Sequence, residues 1–105
     1  MEIYWSPRSK RELKHIAEYL DYTFGKRVAL AMVKETEIWT IRLSNNPELG
    51  SPEPLLSDKV IHYRSLIFTN HNKLIYHIKG NTIWISDIWD MRRHPEVLAK
   101  RIKSK

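Results

Sequence analysis

The chain has 105 residues with a mass of 12.6 kDa, 42% hydrophobic residues and a formal net charge of +6. This length accommodates one hydrophobic core and is too short for two ordinary domains, so we expect a single domain over residues 1–105. The chain has no cysteine, which excludes disulfides and thiolate metal sites. It also has no apolar run of the roughly 18 residues that a membrane span needs and no signal-peptide h-region. These two features predict a cytoplasmic protein without membrane contact.

The first half of the sequence predicts a short strand followed by two helices. Residues 2–5 are β-prone, and Ser6-Pro7 has the form of an N-cap followed by proline at the first helical position. Apolar residues at helical spacing lead to Gly25, a favoured helix end, and a second helix is expected over 26–44. Such a short link makes the two helices an antiparallel hairpin. Its buried stripes are expected to contain Leu13, Ile16 and Leu20 in the first helix, and Val28, Met32, Thr36, Trp39 and Leu43 in the second.

The second half predicts a long loop and a β-meander. The loop covers residues 45–59 and is rich in proline and turn-forming residues. Three β-prone runs with links of hairpin length follow, at 60–69, 73–79 and 82–89, and a helical turn or two is expected from Pro95. The last run is apolar on both faces, so we place it centrally, with the first strand at or near an edge. The fold is therefore predicted as α+β in the order β-α-α-β-β-β, with a three-stranded antiparallel meander.

The positive charge is concentrated in the second half. Residues 1–50 carry 8 basic and 7 acidic side chains, a net charge of +1, whereas residues 51–105 carry 10 and 5, a net charge of +5. Four of the five histidines also lie in the second half. This asymmetry favours a partner that carries phosphates or acidic side chains, although a basic surface that only serves solubility has the same composition.

Five motifs, in this order and spacing, resemble the RelE/ParE superfamily of toxins from bacterial type II toxin–antitoxin modules. They are WSPRSKREL at the first helix, LSNNPELG at the end of the second, YRSLIF and KLIYHI on the next two strands, and IWISDIWDMRRHP at the end. The resemblance covers nearly the whole chain. It implies a toxin that a cognate antitoxin neutralises by wrapping an extended or helical segment across the helices and sheet.

The superfamily contains two activities that its common fold does not separate. RelE-like members cut mRNA, commonly on the ribosome, and ParE-like members inhibit DNA gyrase. The resemblance favours a metal-independent mRNA endoribonuclease because of an arginine in a strand and a histidine near the C-terminus. The alternatives are a ParE-like gyrase inhibitor without nuclease activity, and a member that only binds its antitoxin. No metal or other cofactor is expected.

The candidate site residues follow from the resemblance and from the chemistry of RNA cleavage. That reaction needs a base for the 2′-hydroxyl, stabilisation of the phosphate charge and an acid for the leaving oxygen. Arg64 matches the phosphate-binding arginine of nuclease members, and Arg92 and His94 match a terminal arginine and an acid–base residue. These three are the predicted catalytic residues, and Lys59 and Arg93 are predicted to bind substrate. We expect Arg64 and the end of the last strand to form one site.

Several residues allow a second interpretation. Arg64 has a structural alternative, an ion pair with Asp87 or Asp90 across the sheet. Glu48 or Glu53 is a possible base, but for each of them a role in keeping the loop soluble is favoured. Trp5 and Trp89 lie at the ends of predicted elements. Each is a candidate for stacking on a base or for binding an antitoxin side chain.

Overall fold

The computed structural model describes residues 1–102, which form five strands, three α-helices and one turn of 3-10 helix. The predicted α+β class and the succession of strand, helix hairpin and meander are confirmed. Within this part of the chain, no helix has the length and apolar composition needed to cross a membrane. The elements are β1 (Glu2–Trp5), α1 (Pro7–Phe24), α2 (Lys26–Asn45), β2 (Ser51–Pro52), the 3-10 turn (Pro54–Leu56), β3 (Arg64–Ile67), β4 (Asn72–Lys79), β5 (Thr82–Asp90) and α3 (Pro95–Arg101).

The helix hairpin begins and turns where the sequence predicts. The Ser6 side chain accepts a hydrogen bond from the Ser9 amide at 3.1 Å, which satisfies one of the free N–H groups at the start of α1. The Ser6 hydroxyl also donates to the carbonyl of Ser86 at 3.0 Å, so the start of α1 is attached to β5. Between the helices, Gly25 adopts φ +98°, a conformation that residues with a side chain rarely reach.

The five strands form one mixed sheet in the order β1-β5-β4-β3-β2. The meander β3-β4-β5 is antiparallel, as predicted, and β2 pairs antiparallel with β3. The strand β1 lies at the edge of the sheet and runs parallel to β5, which confirms its predicted position at or near an edge. A bulge in β5 leaves Ser86 without a partner in β4, since Ile75 pairs with Asp87 and Tyr76 with Ile85.

The segment before β3 differs from the prediction. Instead of a strand over 60–69, the structure has a strand of four residues beginning at Arg64, and residues 60–63 are irregular. The Tyr63 amide donates to the Ile61 carbonyl, a local turn, and the Tyr63 carbonyl accepts from Glu53. These bonds hold residues 60–63 against the 3-10 turn. The sequence predicted a loop where this turn lies. The two-residue strand β2 was also not predicted.

Each face of the sheet has its own hydrophobic core. On one face, α1 and α2 pack on buried strand residues, and the predicted helix residues Leu13, Ile16, Leu20, Met32 and Trp39 all contact this first core. Val28 is an exception in the predicted stripe, with 41% of its surface exposed. On the other face, the 3-10 turn and α3 cover part of β4 and β5. This second core contains Leu56, Tyr63, Ile75, Trp89, Leu98 and Ile102.

Candidate functional site

The basic residues after β5 border a cleft between α1 and the ends of β4 and β5. The cleft has a volume of about 510 Å³, within the usual range for ligand sites. Its floor is apolar, and its rim contains two arginines, two histidines and two carboxylates. These rim residues are Arg92, Arg93, His15, His71, Glu12 and Asp90.

The two arginines of this cleft differ in their contacts. Arg92 forms a bidentate ion pair with Asp90, in which Nη2 lies 2.8 Å from Oδ2 and Nε lies 3.0 Å from Oδ1. Hydrogen bonding from Arg92 lowers the pKa of Asp90. Arg93 makes no ion pair within residues 1–102, and its guanidinium carbon lies 4.9 Å from the ring centre of Trp89. Of the two, Arg93 is therefore the more available to an anionic partner.

His94 has a structural role at the start of α3. Its Nδ1 accepts a hydrogen bond from the Glu96 amide at 3.3 Å, and the side chain is exposed. An accepting Nδ1 carries no proton, so this contact requires the neutral imidazole. The predicted acid–base residue thus caps a helix in this structure.

Arg64 binds the loop after α2. Its Nε and Nη2 donate to the carbonyl of Gly50 at 3.1 and 2.6 Å, and Nη2 also donates to the carbonyl of Glu48 at 3.3 Å. The alternative ion pair with Asp87 or Asp90 is wrong, because those carboxylates bind other arginines. Arg64 thus fixes the path of the chain from α2 to β2.

The predicted single site is divided between two cavities. Arg64 and Lys59 border a cavity of about 450 Å³ next to the 3-10 turn, whereas Arg92 and Arg93 border the cleft beside α1. The strand register explains the separation, since Arg64 is opposite Tyr76 while Asp90 is opposite Asn72. Four residues along β4 correspond to about 13 Å, and two strand spacings add about 10 Å across the sheet.

The two candidate bases differ in their exposure and contacts. Glu48 is exposed in the loop after α2. Glu53 is buried, and its Oε2 accepts from the Leu55 amide at 2.8 Å while Oε1 forms an ion pair with Lys73. Glu53 therefore does not serve to keep the loop soluble, because its carboxylate is paired with Lys73, and it borders the same cavity as Arg64 and Lys59.

A partly buried ionic network, absent from the predictions made from the sequence, connects α3 with α1 and β5. Arg101 Nη2 lies 3.0 Å from Oδ1 of Asp87 and 3.1 Å from Oε1 of Glu12, and the Arg101 carbonyl accepts from Arg8. Asp87 has no exposed surface, and among the described residues its Oδ2 has no hydrogen-bond partner. The one signal in the sequence was Asp87 itself, a carboxylate inside an otherwise apolar strand.

Burial raises the pKa of Asp87 to about 6, and Arg101 offsets this rise only in part. Because the folded-state pKa exceeds the unfolded value, Asp87 favours folding below about pH 4, and that contribution disappears as the pH rises through 6. We expect it to lower the free energy of unfolding by about 2 to 3 kcal/mol over this interval. Chemical denaturation at pH 4.5 and 7.5 measures the change, and Asp87→Asn should remove this part of the pH dependence. Identical pH profiles of the parent and the variant would contradict it.

The two tryptophans at element ends are enclosed to different degrees. Trp89 is 1% exposed, and the guanidinium carbons of Arg93 and Arg101 lie 4.9 and 5.4 Å from its ring centre. It belongs to the second core, so its suggested stacking on a base is wrong. Trp5 is half-buried against the first core, next to the open edge of the sheet.

No group of three or more His, Cys, Asp or Glu side chains suited to a metal ion occurs among residues 1–102. His77 lies between two aromatic rings, with ring centres 5.4 Å from Tyr63 and 6.3 Å from Trp84. Burial, followed by the nearby Lys79, lowers the pKa of its imidazole. His77 is thus part of a row of aromatic side chains on the face of the sheet opposite the helix hairpin.

Comparison with known sequences finds one family over most of the chain. The family described as "ParE toxin of type II toxin-antitoxin system, parDE" matches residues 3–95. Among curated proteins, none matches significantly.

Comparison with solved structures finds the same fold. The chromosomal ParDE toxin–antitoxin system from P. aeruginosa contains a chain with 21% identity and a TM-score of 0.71, covering 86% of this chain and 95% of that one. A YoeB dimer from Staphylococcus aureus has 24% identity, a TM-score of 0.58 and coverages of 83% and 92%. A YoeB/ParE toxin from Agrobacterium tumefaciens has 21% identity, a TM-score of 0.58 and coverages of 86% and 98%. At these identities the structural matches establish the fold alone.

Proposed function

The chain belongs to the family of ParE toxins of type II toxin–antitoxin systems, and from this membership we propose that it acts by binding and inhibiting DNA gyrase. Membership makes it the toxin of such a module and implies a cognate antitoxin as its partner. Gyrase inhibition was the alternative to the mRNA endoribonuclease that the sequence resemblance favoured. We now favour gyrase inhibition because of the geometry of the candidate residues.

The observation that carries the proposal is the separation of the predicted nuclease residues. Cleavage of RNA without a metal requires a base, an acid and a phosphate-stabilising cation around one phosphate. Here Arg64 binds backbone carbonyls of the loop after α2, Arg92 is paired with Asp90, and His94 caps α3. A toxin that works by binding another protein needs no such convergence, and this arrangement suits it.

The cleft beside α1 supports mRNA cleavage as the second candidate. It contains His15 and His71 together with Arg92 and Arg93, which is a set of side chains able to exchange protons and to bind phosphate. Both histidines lie outside the motifs that carried the resemblance. If the protein cuts RNA, this cleft is therefore the first place to test by substitution.

Induction in growing cells separates the two candidates. Expression of the toxin alone should stop growth, and co-expression of the antitoxin should restore it. With the toxin alone, we expect plasmids to lose negative supercoiling and the DNA-damage response to rise, while translated mRNAs remain intact. His94→Gln, which cannot exchange a proton at neutral pH, should be as toxic as the parent. Toxin-dependent cuts in translated mRNA would contradict the proposal, and their absence from the His94→Gln strain would identify His94 as a catalytic residue.

A further inference from the structure

The exposed side of the first two turns of α1 is strongly basic. Residues 8–14 contain four cations and one carboxylate, and the carboxylate, Glu12, is neutralised by an ion pair with α3. Lys10, Arg11 and Lys14 are exposed and form no ion pair within residues 1–102. Because residues three and four positions apart are neighbours on a helix, these cations lie side by side.

The charges of α1 are placed against the helix dipole. The N-terminal end of a helix has a positive partial charge, so acidic residues are favoured in the first turn and basic residues in the last. The helix α1 has no acidic residue in its first turn. By contrast, α3 has the favoured arrangement, with Glu96 in its first turn and Lys100 and Arg101 in its last. Departures from such local preferences occur mainly at functional sites, so the cations of α1 indicate a role other than helix stability.

Two further arginines extend this basic region across the cleft beside α1. Arg92 and Arg93 follow β5 and border the same cleft as Glu12 and His15. Arg93 makes no ion pair within residues 1–102, and the Arg92 side chain is 63% exposed although it is paired with Asp90. The six cations on the two sides of the cleft are named the basic surface, and they are Arg8, Lys10, Arg11, Lys14, Arg92 and Arg93.

The dimensions and chemistry of the basic surface suit duplex DNA. From Arg8 to Lys14 the helix rises by about 9 Å, a length over which a duplex carries about five phosphates. Guanidinium and ammonium groups bind phosphate oxygens and, in doing so, do not read the bases. None of the six side chains has a ring on which the base of a single strand could stack. The basic surface therefore matches a phosphate backbone better than exposed bases.

We propose that the basic surface binds the phosphate backbone of duplex DNA. This proposal rests on the proposed function, because DNA gyrase acts on duplex DNA and a toxin bound to gyrase lies close to that polyanion. The net charge of +6 on the toxin attracts DNA as well. Binding is expected to be independent of DNA sequence and to weaken steeply with salt, since each phosphate contact releases counterions.

Fluorescence anisotropy of labelled 20-base-pair duplexes with the purified toxin tests the proposal. Two duplexes of unrelated sequence should bind equally. Between 50 and 200 mM salt, the logarithm of the association constant should fall with the logarithm of the salt concentration with a slope of about −5, as expected for six phosphate contacts. An unlabelled single-stranded RNA of the same length should compete more weakly than the unlabelled duplex. No binding at 50 mM salt, or stronger competition by the RNA, would overturn the proposal.

A charge-removal variant locates the binding surface. This α1 variant combines Lys10→Ala, Arg11→Ala and Lys14→Ala, and alanine preserves the helix because it is the best helix former. Loss of three phosphate contacts should reduce the salt slope to about −2 to −3 and weaken binding at 100 mM salt by at least about tenfold. An α1 variant that binds the duplex like the parent but no longer binds the antitoxin would assign the surface to the antitoxin and overturn the proposal.

A matched control variant separates the basic surface from net charge. It combines Lys26→Ala, Arg27→Ala and Lys34→Ala, which removes three exposed cations from the turn end and middle of α2. This control has the same net charge as the α1 variant and should keep the parent's affinity for the duplex within about threefold. Equal losses in the two variants would show that net charge alone attracts DNA, which overturns the proposal.

The supercoiling reaction of gyrase distinguishes failure of this proposal from failure of the proposed function. The α1 variant should need at least about tenfold more toxin than the parent for half-inhibition, and the α2 control should behave like the parent. A parent toxin that inhibits gyrase but has no affinity for the duplex would overturn this proposal and leave the proposed function intact. A parent toxin that binds the duplex but leaves supercoiling unchanged would confirm the surface and overturn the proposed function.

Discussion

Arg101→Leu is expected to lower the free energy of unfolding by about 3 to 5 kcal/mol, the usual cost of removing one partner from a buried ion pair. Arg101 connects the buried Asp87 to Glu12, with distances of 3.0 and 3.1 Å. Without the guanidinium, the buried Asp87 loses its ion-pair partner, and the side-chain contact of α3 with Glu12 in α1 is lost as well. Denaturant unfolding followed by tryptophan fluorescence measures the loss.

Two further variants isolate the cause. Asp87→Asn in the Arg101→Leu background should recover most of the lost stability, because it removes the uncompensated charge. Arg92→Leu is the matched control, since it breaks an arginine–carboxylate pair of similar geometry at the surface and should change stability little. If the Asp87→Asn double variant is no more stable than Arg101→Leu alone, the buried charge is not the cause.

Gly50→Ala is expected to destabilise the protein by about 3 kcal/mol, at the upper end of the cost of overpacking. An added Cβ would lie 2.5 Å from the carbonyl oxygen of Ser65 and 2.8 Å from the hydroxyl of Tyr76. The Ser65 oxygen belongs to the backbone of β3, so it cannot move aside without disturbing the sheet. The Gly50 amide also donates to Tyr76 at 3.0 Å, and its carbonyl accepts from Arg64, so both of these bonds would be displaced.

Gly80→Ala provides the comparison for this effect. Gly80 adopts φ +61°, and an added Cβ there meets nothing within 4 Å among the described residues. The substitution should therefore cost only the left-handed backbone strain, about 1 to 2 kcal/mol. Equal losses at the two positions would show that backbone conformation, and not the clash with β3, accounts for the effect at Gly50.

The elements that were predicted correctly are specified by residues that lie close together in the sequence. Ser6-Pro7 specifies the start of α1, and Gly25 specifies the turn between the helices, because capping and positive φ depend on neighbouring residues only. Residues 60–63 were predicted as strand from their β-prone side chains. They are irregular because Tyr63 packs in the second core and its carbonyl bonds to Glu53, a contact that no local pattern contains.

The candidate site was less predictable because it depends on register. The sequence predicted Arg64 in one strand and Arg92 just after another strand of the same sheet, and in the structure Arg64 begins β3 while Arg92 follows β5. Their distance follows from the pairing of Arg64 with Tyr76 and from the bulge at Ser86, neither of which leaves a signal in one sequence. The same limit applies to Arg101, whose partners Asp87 and Glu12 are distant in the chain.

The most direct test of the proposed function uses purified components. Relaxed plasmid, DNA gyrase and ATP are incubated with the toxin, with the toxin and an equimolar amount of antitoxin, or without either. In parallel, the toxin is added to a translation reaction with a defined mRNA. We predict that the toxin blocks supercoiling, that the antitoxin restores it, and that the mRNA remains uncut. Full supercoiling in the presence of the toxin, together with toxin-dependent cuts in the translated mRNA, would contradict the proposal and identify the protein as an endoribonuclease.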